Sequence, residues 1–103
     1  MKTLTLTITE EHDKASKQEI RHSPRDQCCP IQQALRPIIN ISGFGVGGHH
    51  VYKYNSSYDD YLNFFGTLSK TAKSFIELYD NGGKIVYPVS VEVDINEVYL
   101  KTE

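Results

Sequence analysis

The segment KIVYPVSVEVDI, residues 84–95, carries the strongest strand signal in the chain and decides the fold class. Apolar or aromatic residues occupy every second position from Ile85 to Ile95, a spacing that is typical of a β-strand with one buried face. Pro88 interrupts the run. Because proline has no N–H to donate to a neighbouring strand, we expect this strand to lie at a sheet edge or to bulge near Pro88. An exposed edge of this kind predicts self-association by strand addition.

A second alternating segment runs from Thr3 to Thr9. Threonine occupies its odd positions, and the even positions are apolar: Leu4, Leu6 and Ile8. This pattern predicts a strand that buries one face and exposes the other.

The middle of the chain contains a glycine-rich segment, residues 43–48. Ile38 to Ser42 before it and His49 to Tyr54 after it favour strands, so we expect a hairpin that turns through the glycines. Residues 58–67 are ambiguous, because their aromatic and apolar side chains fit either a helix or an edge strand. The tail from Glu97 to Lys101 is short and suits pairing as a strand.

Three helices are predicted from capping residues and apolar spacing. Thr9 is a suitable N-cap for a polar surface helix with acidic residues in its first turn. Pro30 begins a second helix, which ends before Pro37. Ser69 caps the clearest helix, which ends at Asn81-Gly82-Gly83. The apolar stripe of this third helix comprises Leu68, Ala72, Phe75, Ile76 and Tyr79.

These elements follow one another as β, α, α, β, β, one ambiguous α or β segment, α and β. The order predicts an α+β fold, a small and mostly antiparallel sheet with two or three helices packed on one face. The chain of 103 residues fits a single domain, residues 1–103.

Composition excludes several classes of protein. A formal net charge of −2 is unlike that of proteins that bind nucleic acid in general, which carry a basic stripe. No apolar run reaches the length of a membrane helix or of a signal peptide. The two cysteines, Cys28 and Cys29, are adjacent, which excludes a disulfide between distant segments and favours a cytosolic protein.

Basic residues around the second helix form the most coherent candidate anion site. These residues are Arg21, His22, Arg25 and Arg36. Guanidinium groups suit phosphate, and a helix N-terminus offers N–H groups to an anion. The alternative is a solvated basic loop balanced by Glu19 and Asp26.

The glycine-rich segment and the residues after it are the second candidate site. The backbone at Gly45, Gly47 and Gly48 permits close approach to a phosphate, although the segment lacks the Lys-Ser/Thr ending of a P-loop. Either a ligand-binding loop or a flexible hairpin loop fits it. The remaining candidate ligand-binding residues are His49 or His50, for a hydrogen bond, and Phe44 or Tyr52, for stacking on a base.

Cysteine and histidine chemistry is the third possibility. A zinc site or a nucleophilic Cys29 is conceivable, but the spacing is unlike that of paired zinc ligands. We expect Cys29 to be a small buried residue at a helix start. We therefore predict no catalytic residue, no metal ion and no cofactor.

Several short motifs together resemble a group of small bacteriophage proteins. The matching residues are Thr9 and His12, Cys29-Pro30-Ile31 with Ala34-Leu35, Phe75-Ile76, Tyr79-Asp80, Gly82 or Gly83, and Val86, Pro88 and Val91. They cover most of the chain. Residues 55–67 and the glycine-rich hairpin depart from the pattern. The resemblance implies a phage origin and a role in the host bacterial cytoplasm, and it supplies no activity.

Small phage proteins without enzymatic motifs often bind host components, which leads to three functional hypotheses. The first is an anti-defence sponge, a non-catalytic homo-oligomer that sequesters a small phosphorylated or cyclic nucleotide signal and so evades host immunity. The second is an anti-CRISPR-like inhibitor that binds a bacterial defence protein through Tyr58 to Phe65. The third is an enzyme that degrades a nucleotide signal, with His22, His49 or His50 as acid and base.

Overall fold

The computed structural model describes residues 1–19, 29–41, 43–47, 49–53 and 63–101, with the side chains of Glu19 and Asn63 left aside. The strands are β1 (Lys2–Ile8), β2 (Phe44–Gly47), β3 (His50–Lys53), β4 (Asn63–Leu68) and β5 (Val89–Ile95). The helices are α1 (Glu10–Glu19), α2 (Pro30–Leu35) and α3 (Lys70–Asp80), and a short 3₁₀ turn spans Glu97–Tyr99.

The five strands form one antiparallel sheet in the order β1-β5-β4-β3-β2. Strands β2, β3 and β4 follow one another as a meander, and α3 then returns the chain so that β5 lies between β4 and β1. Side chains from α2 and α3 share one buried cluster with side chains from the strands. The predicted α+β fold is confirmed.

The two faces of the sheet differ in chemistry. The face toward the helices carries the buried core, which includes Leu6, Ile8, Val46, Val51, Leu68, Val91, Val93 and Ile95. The opposite face, called the open face here, carries the alternate residues. By register these are Thr3, Thr5, Thr7, Gly45, Gly47, His50, Tyr52, Phe64, Thr67, Ser90, Glu92 and Asp94.

Hydrogen bonds to capping side chains start α1 and α3 at the residues that the sequence predicts. The Ser69 hydroxyl accepts a hydrogen bond from the N–H of Ala72, which confirms it as the cap of α3. Thr9 precedes α1, and its hydroxyl accepts from the N–H of His12 while the His12 Nδ1 accepts from the N–H of Thr9 at 3.0 Å. This exchange is a capping box in which histidine takes the usual place of Glu or Gln.

The predicted position of the last strand is wrong. Strand β5 begins at Val89 and pairs with β1 on one side and β4 on the other, so it is internal and does not bulge at Pro88. The reason is that Pro88 precedes the strand, so its missing N–H removes nothing from the ladder. The sheet edges among the described residues are β1 and β2.

The predicted hairpin is also corrected. The glycine-rich segment is itself strand β2, paired with His50–Lys53, and His49 lies outside β3. Ile38 is no strand residue, because the N–H groups of Ile38 and Ile39 both donate to Leu35 O and extend the end of α2 into a turn. Ser42, Gly48 and Tyr54 lie outside the described residues.

The C-terminal tail, which the sequence suggests could pair as a strand, forms only a single bridge. Ile39 forms an isolated bridge with Leu100, and the residues before it form the 3₁₀ turn Glu97–Tyr99 rather than a strand. Residues 63–67 of the ambiguous segment belong to β4, whereas residues 58–62 lie outside the described part of the chain.

Strand β4 contains a bulge that sets the direction of two aromatic side chains. Val51 pairs with Gly66 and Tyr52 pairs with Phe64, so Phe65 is an extra residue between the two pairs. Phe65 is 2% exposed and belongs to the core, while Phe64 is 55% exposed. The bulge therefore buries one phenylalanine and displays its neighbour.

Candidate functional site

A cavity of about 520 Å³ lies beside the end of α2 and the start of β2. Its polar lining comes from Arg36, Asn40 and Lys101, and its apolar lining from Ile39, Ile41 and Phe44. This volume is within the range of small-molecule sites.

Backbone and side-chain hydrogen bonds hold the two cationic residues at the cavity. Arg36 follows the last residue of α2, and its Nε donates to Gln32 Oε1 at 2.9 Å. The Lys101 N–H donates to Ile38 O at 2.8 Å, which holds the end of the described chain against the turn after α2. Asn40 Nδ2 donates to Val98 O at 2.8 Å and reinforces the same junction.

Among the described residues, the lining combines two positive charges with no acidic side chain. Arginine presents a planar fork that matches phosphate oxygens, and lysine supplies a compact charge. Because the remaining wall is largely aliphatic, the cavity suits a ligand with an anionic group attached to an apolar or aromatic body.

Two of the sequence-predicted residues meet in this cavity. Arg36 lines it with Phe44, but Phe44 is 2% exposed and packs edge-on against Phe65 at a ring-centroid distance of 6.2 Å. The Phe44 ring therefore forms wall and core, and it does not offer a face for base stacking. The sequence did not predict that Asn40 and Lys101 line a site. For Lys101, the one indication was the predicted pairing of residues 97–101 as a strand.

Four other predicted residues lie on the open face, away from the cavity side of the sheet. Gly45 pairs with Tyr52 and Gly47 pairs with His50 across strands β2 and β3. His49 is exposed in the turn before β3. The last four predicted residues, Arg21, His22, Arg25 and Gly48, lie outside the described residues.

An aromatic group stands on the open face around Phe64. The His50 and Phe64 rings stack with centroids 4.2 Å apart, and Tyr52 meets Phe64 edge-on at 6.4 Å. Tyr52 is 8% exposed and His50 is partly exposed, so Phe64, at 55%, is the most exposed member of this group.

Cys29 is a capping residue of α2. Its thiol accepts from the Gln32 N–H at 3.4 Å and is 7% exposed. The expectation of a buried cysteine at a helix start is confirmed. Among the described residues, no group of three or more His, Cys, Asp or Glu side chains is arranged to hold a metal ion.

A polar cluster joins α1 to the rest of the protein. The Tyr87 hydroxyl donates to Asp13 Oδ2 at 2.7 Å, and the Ser16 and Tyr79 hydroxyls are 3.1 Å apart. Lys17 Nζ lies 3.3 Å from Asp13 Oδ1. Burial and the bond to Asp13 raise the pKa of Tyr87 well above its ordinary value of 10.0, and burial also raises the pKa of Tyr79.

The raised pKa of Tyr87 predicts a loss of stability in alkali. Above about pH 10 the unfolded chain releases the phenolic proton while the folded chain keeps it, so the free energy of unfolding falls as pH rises. The slope is a fraction of about 1.4 kcal/mol per pH unit, since the ring is partly solvated. Urea unfolding between pH 8 and 11 measures it. Tyr87→Phe destabilises at pH 8, and its deficit shrinks toward pH 11; parallel curves for the two proteins would contradict the prediction.

Comparison with family models, curated proteins and solved structures found no match to this chain. The resemblance to phage proteins therefore stays an expectation. None of the helices in the described ranges is long and apolar enough to cross a membrane.

Proposed function

We propose that this protein is a non-catalytic binder that sequesters a small phosphorylated ligand in the cavity between Arg36 and Lys101. In keeping with the resemblance to phage proteins, the ligand is a nucleotide-derived immune signal and the protein acts as an oligomeric sponge in the host bacterial cytoplasm. The observation that carries the proposal is the presence of two cations and an apolar wall in one cavity of about 520 Å³.

Charge supports an anionic ligand. The chain as a whole has a formal net charge of −2, yet the two charged residues that line this cavity in the described part of the chain, Arg36 and Lys101, are both cationic. A local concentration of positive charge in an acidic protein favours a small anion over a long nucleic acid, which would meet the negative charges elsewhere.

Local order supports a preformed site. Gln32 is 3% exposed and accepts a hydrogen bond from the guanidinium of Arg36, and the bond from the Lys101 N–H to Ile38 O fixes the backbone of Lys101. A site in which the Arg36 guanidinium and the backbone of Lys101 are already positioned loses less conformational entropy when the ligand binds.

The test of the proposed activity is incubation with bacterial cyclic nucleotides and ADP-ribose derivatives. After filtration, heat releases the bound material for chromatography. We expect one compound to be depleted and returned intact. Recovery of a product instead would support the hypothesis of an enzyme and direct attention to His49 and His50.

Removing both cations is expected to weaken binding of the depleted compound by at least about 100-fold. The reason is that a charge-assisted hydrogen bond contributes roughly 1.5–3 kcal/mol, and a tenfold change in affinity corresponds to about 1.4 kcal/mol. The variant is Arg36→Ala with Lys101→Ala, and titration calorimetry measures its affinity. The matched control removes two exposed lysines outside the cavity, Lys14→Ala with Lys84→Ala. Equal affinity of the two double variants would remove this site.

A second candidate function, direct inhibition of a bacterial defence protein, is favoured by one observation. Phe64 is 55% exposed and stacks on His50 on the open face. Of the predicted contact segment from Tyr58 to Phe65, Phe64 is exposed and Phe65 is buried. Residues 58–62 lie outside the described residues. If no compound in the panel is depleted, this function takes precedence and the search moves to host proteins.

A further inference from the structure

Residues 3–7 of β1 read Thr-Leu-Thr-Leu-Thr, the same in both directions around Thr5. Two copies of such a segment that run antiparallel, related by a two-fold axis at Thr5, bring like residues together. Thr5 then meets Thr5 of the second copy, Thr3 meets Thr7, and Leu4 meets Leu6. The segment is complementary to itself.

Strand β1 presents this segment at an edge of the sheet. Within the described residues it pairs with β5 alone, in one uninterrupted register from Lys2↔Ile95 to Ile8↔Val89. Its outer edge is therefore regular along its whole length, and the N–H and C=O groups on that edge have the spacing that a further strand needs for pairing.

Within its own residues, β1 lacks three features that usually protect a sheet edge: a proline, a bulge and a charge in the middle of the strand. It contains no proline and no bulge, and its one charged residue, Lys2, stands at its end. The six residues Thr3–Ile8 are uncharged and have high β-propensity, which is the composition of segments that pair with other chains. An edge with this composition favours pairing with a further strand.

We propose that a second copy of this chain covers it, by antiparallel pairing of β1 with β1 around Thr5. The result is a two-fold symmetric dimer with a continuous ten-stranded sheet. This interface replaces the predicted one at residues 84–95, since β5 is internal and β1 already occupies its outer side.

The side chains of the protomer suit this pairing on both faces. Thr3, Thr5 and Thr7 are exposed on the open face, where threonine pairs across strands contribute favourably. On the other face Leu4 is partly exposed and packs against the core, while Leu6 is only 4% exposed, so the Leu4–Leu6 contacts of the dimer would be made chiefly by the exposed part of Leu4.

The dimer is independent of the proposed ligand. The cavity with Arg36 and Lys101 lies at the β2 end of the sheet, and β1 is the opposite edge. Because the association is measured in ligand-free protein, failure of the dimer leaves the ligand experiment unaffected, and failure of ligand binding leaves the dimer unaffected.

The first test is sedimentation equilibrium of the full chain and of two variants at Thr5. We expect twice the chain mass for the wild type and for Thr5→Val. Thr5→Lys places two like charges on the axis and should weaken association at least tenfold while its circular dichroism stays that of the folded protein. A monomeric wild type at 100 μM or above, or an undiminished dimer in Thr5→Lys, would overturn the proposal.

The second test fixes the register by disulfide formation in a Cys28→Ser background. Residues that face each other on antiparallel strands have Cα atoms about 4.5–5.5 Å apart, within the range of a disulfide. We expect Thr5→Cys to form a covalent dimer under mild oxidation, whereas Thr7→Cys, which faces Thr3 of the second copy, does not. Cross-linking at position 7 and not at position 5 would overturn the proposed axis.

Discussion

Phe65→Ala is expected to lower the free energy of unfolding by about 3–5 kcal/mol, and Phe64→Ala by less than about 1 kcal/mol. The two residues are adjacent and chemically identical, so each variant is the matched control of the other. A loss of this size is a large fraction of the roughly 5–15 kcal/mol that stabilises a typical domain.

The difference arises from what each ring contacts. Phe65 packs edge-on against Phe44 at 6.2 Å and stacks on Tyr99 at 4.5 Å, and the Nζ of Lys53 lies 5.6 Å from the centre of the Tyr99 ring. Truncation of Phe65 removes the middle of this stack and leaves a cavity between the sheet and the C-terminal segment. Truncation of Phe64 removes a ring that is 55% exposed.

Urea unfolding monitored by circular dichroism measures both variants. We expect a much lower midpoint for Phe65→Ala and a nearly unchanged midpoint for Phe64→Ala. The opposite order would mean that the bulge in β4 is absent, because simple alternation from the buried Leu68 puts Phe64 inside and Phe65 outside.

The starts of the helices could be predicted from the sequence more reliably than the pairing of the strands. Helices α2 and α3 begin at Pro30 and after Ser69 for local reasons, since a missing N–H and a capping hydroxyl act within one turn. A bulge is set by the partner strand, and the ambiguous residues 58–67 contain no local signal that selects Phe65 as the extra residue.

Strand order is a further property that local patterns leave open. The alternation in 89–95 correctly indicated a strand, but its neighbours are β1 and β4, which come from the start and the middle of the chain. The alternation continues through Pro88 to Ile85, so the pattern alone places Pro88 within the strand. The pairing with β1 nevertheless begins at Val89, opposite Ile8.

The candidate site was predictable only in part for the same reason. Arg36 follows from its chemistry and its place after a helix. Lys101 lines the cavity with Arg36 because Leu100 forms a bridge with Ile39, and these two segments are far apart in the sequence. Phe44 had the residue type that stacks on a base, but its register opposite Lys53 turns the ring into the core, and Tyr52 faces the other way.

The glycine next to the bulge is expected to be nearly as sensitive as Phe65. Gly66→Ala should lower the free energy of unfolding by about 1–3 kcal/mol, and Gly66→Val by about 3 kcal/mol or more. A Cβ at this position would lie 2.7 Å from Ile95 Cδ1, 3.0 Å from Asp94 O and 3.0 Å from Val51 Cβ. The Ile95 side chain can rotate away, but the Asp94 carbonyl belongs to the β5 backbone and cannot move without disturbing the sheet.

Gly82 provides the control, because a substitution there is unfavourable for a different reason. Its φ is +71°, and a Cβ would meet nothing within 4 Å. Gly82→Ala should therefore lower the free energy of unfolding by about 1 kcal/mol, and Gly82→Asn by less, since asparagine tolerates this backbone conformation. At Gly66 we expect the opposite order of stability. Gly66→Asn should be less stable than Gly66→Ala, because the larger side chain collides with the neighbouring strands. Thermal unfolding of the alanine and asparagine variants at both positions separates the two causes, and a Gly66→Asn variant as stable as Gly66→Ala would show that β4 and β5 do not approach each other this closely.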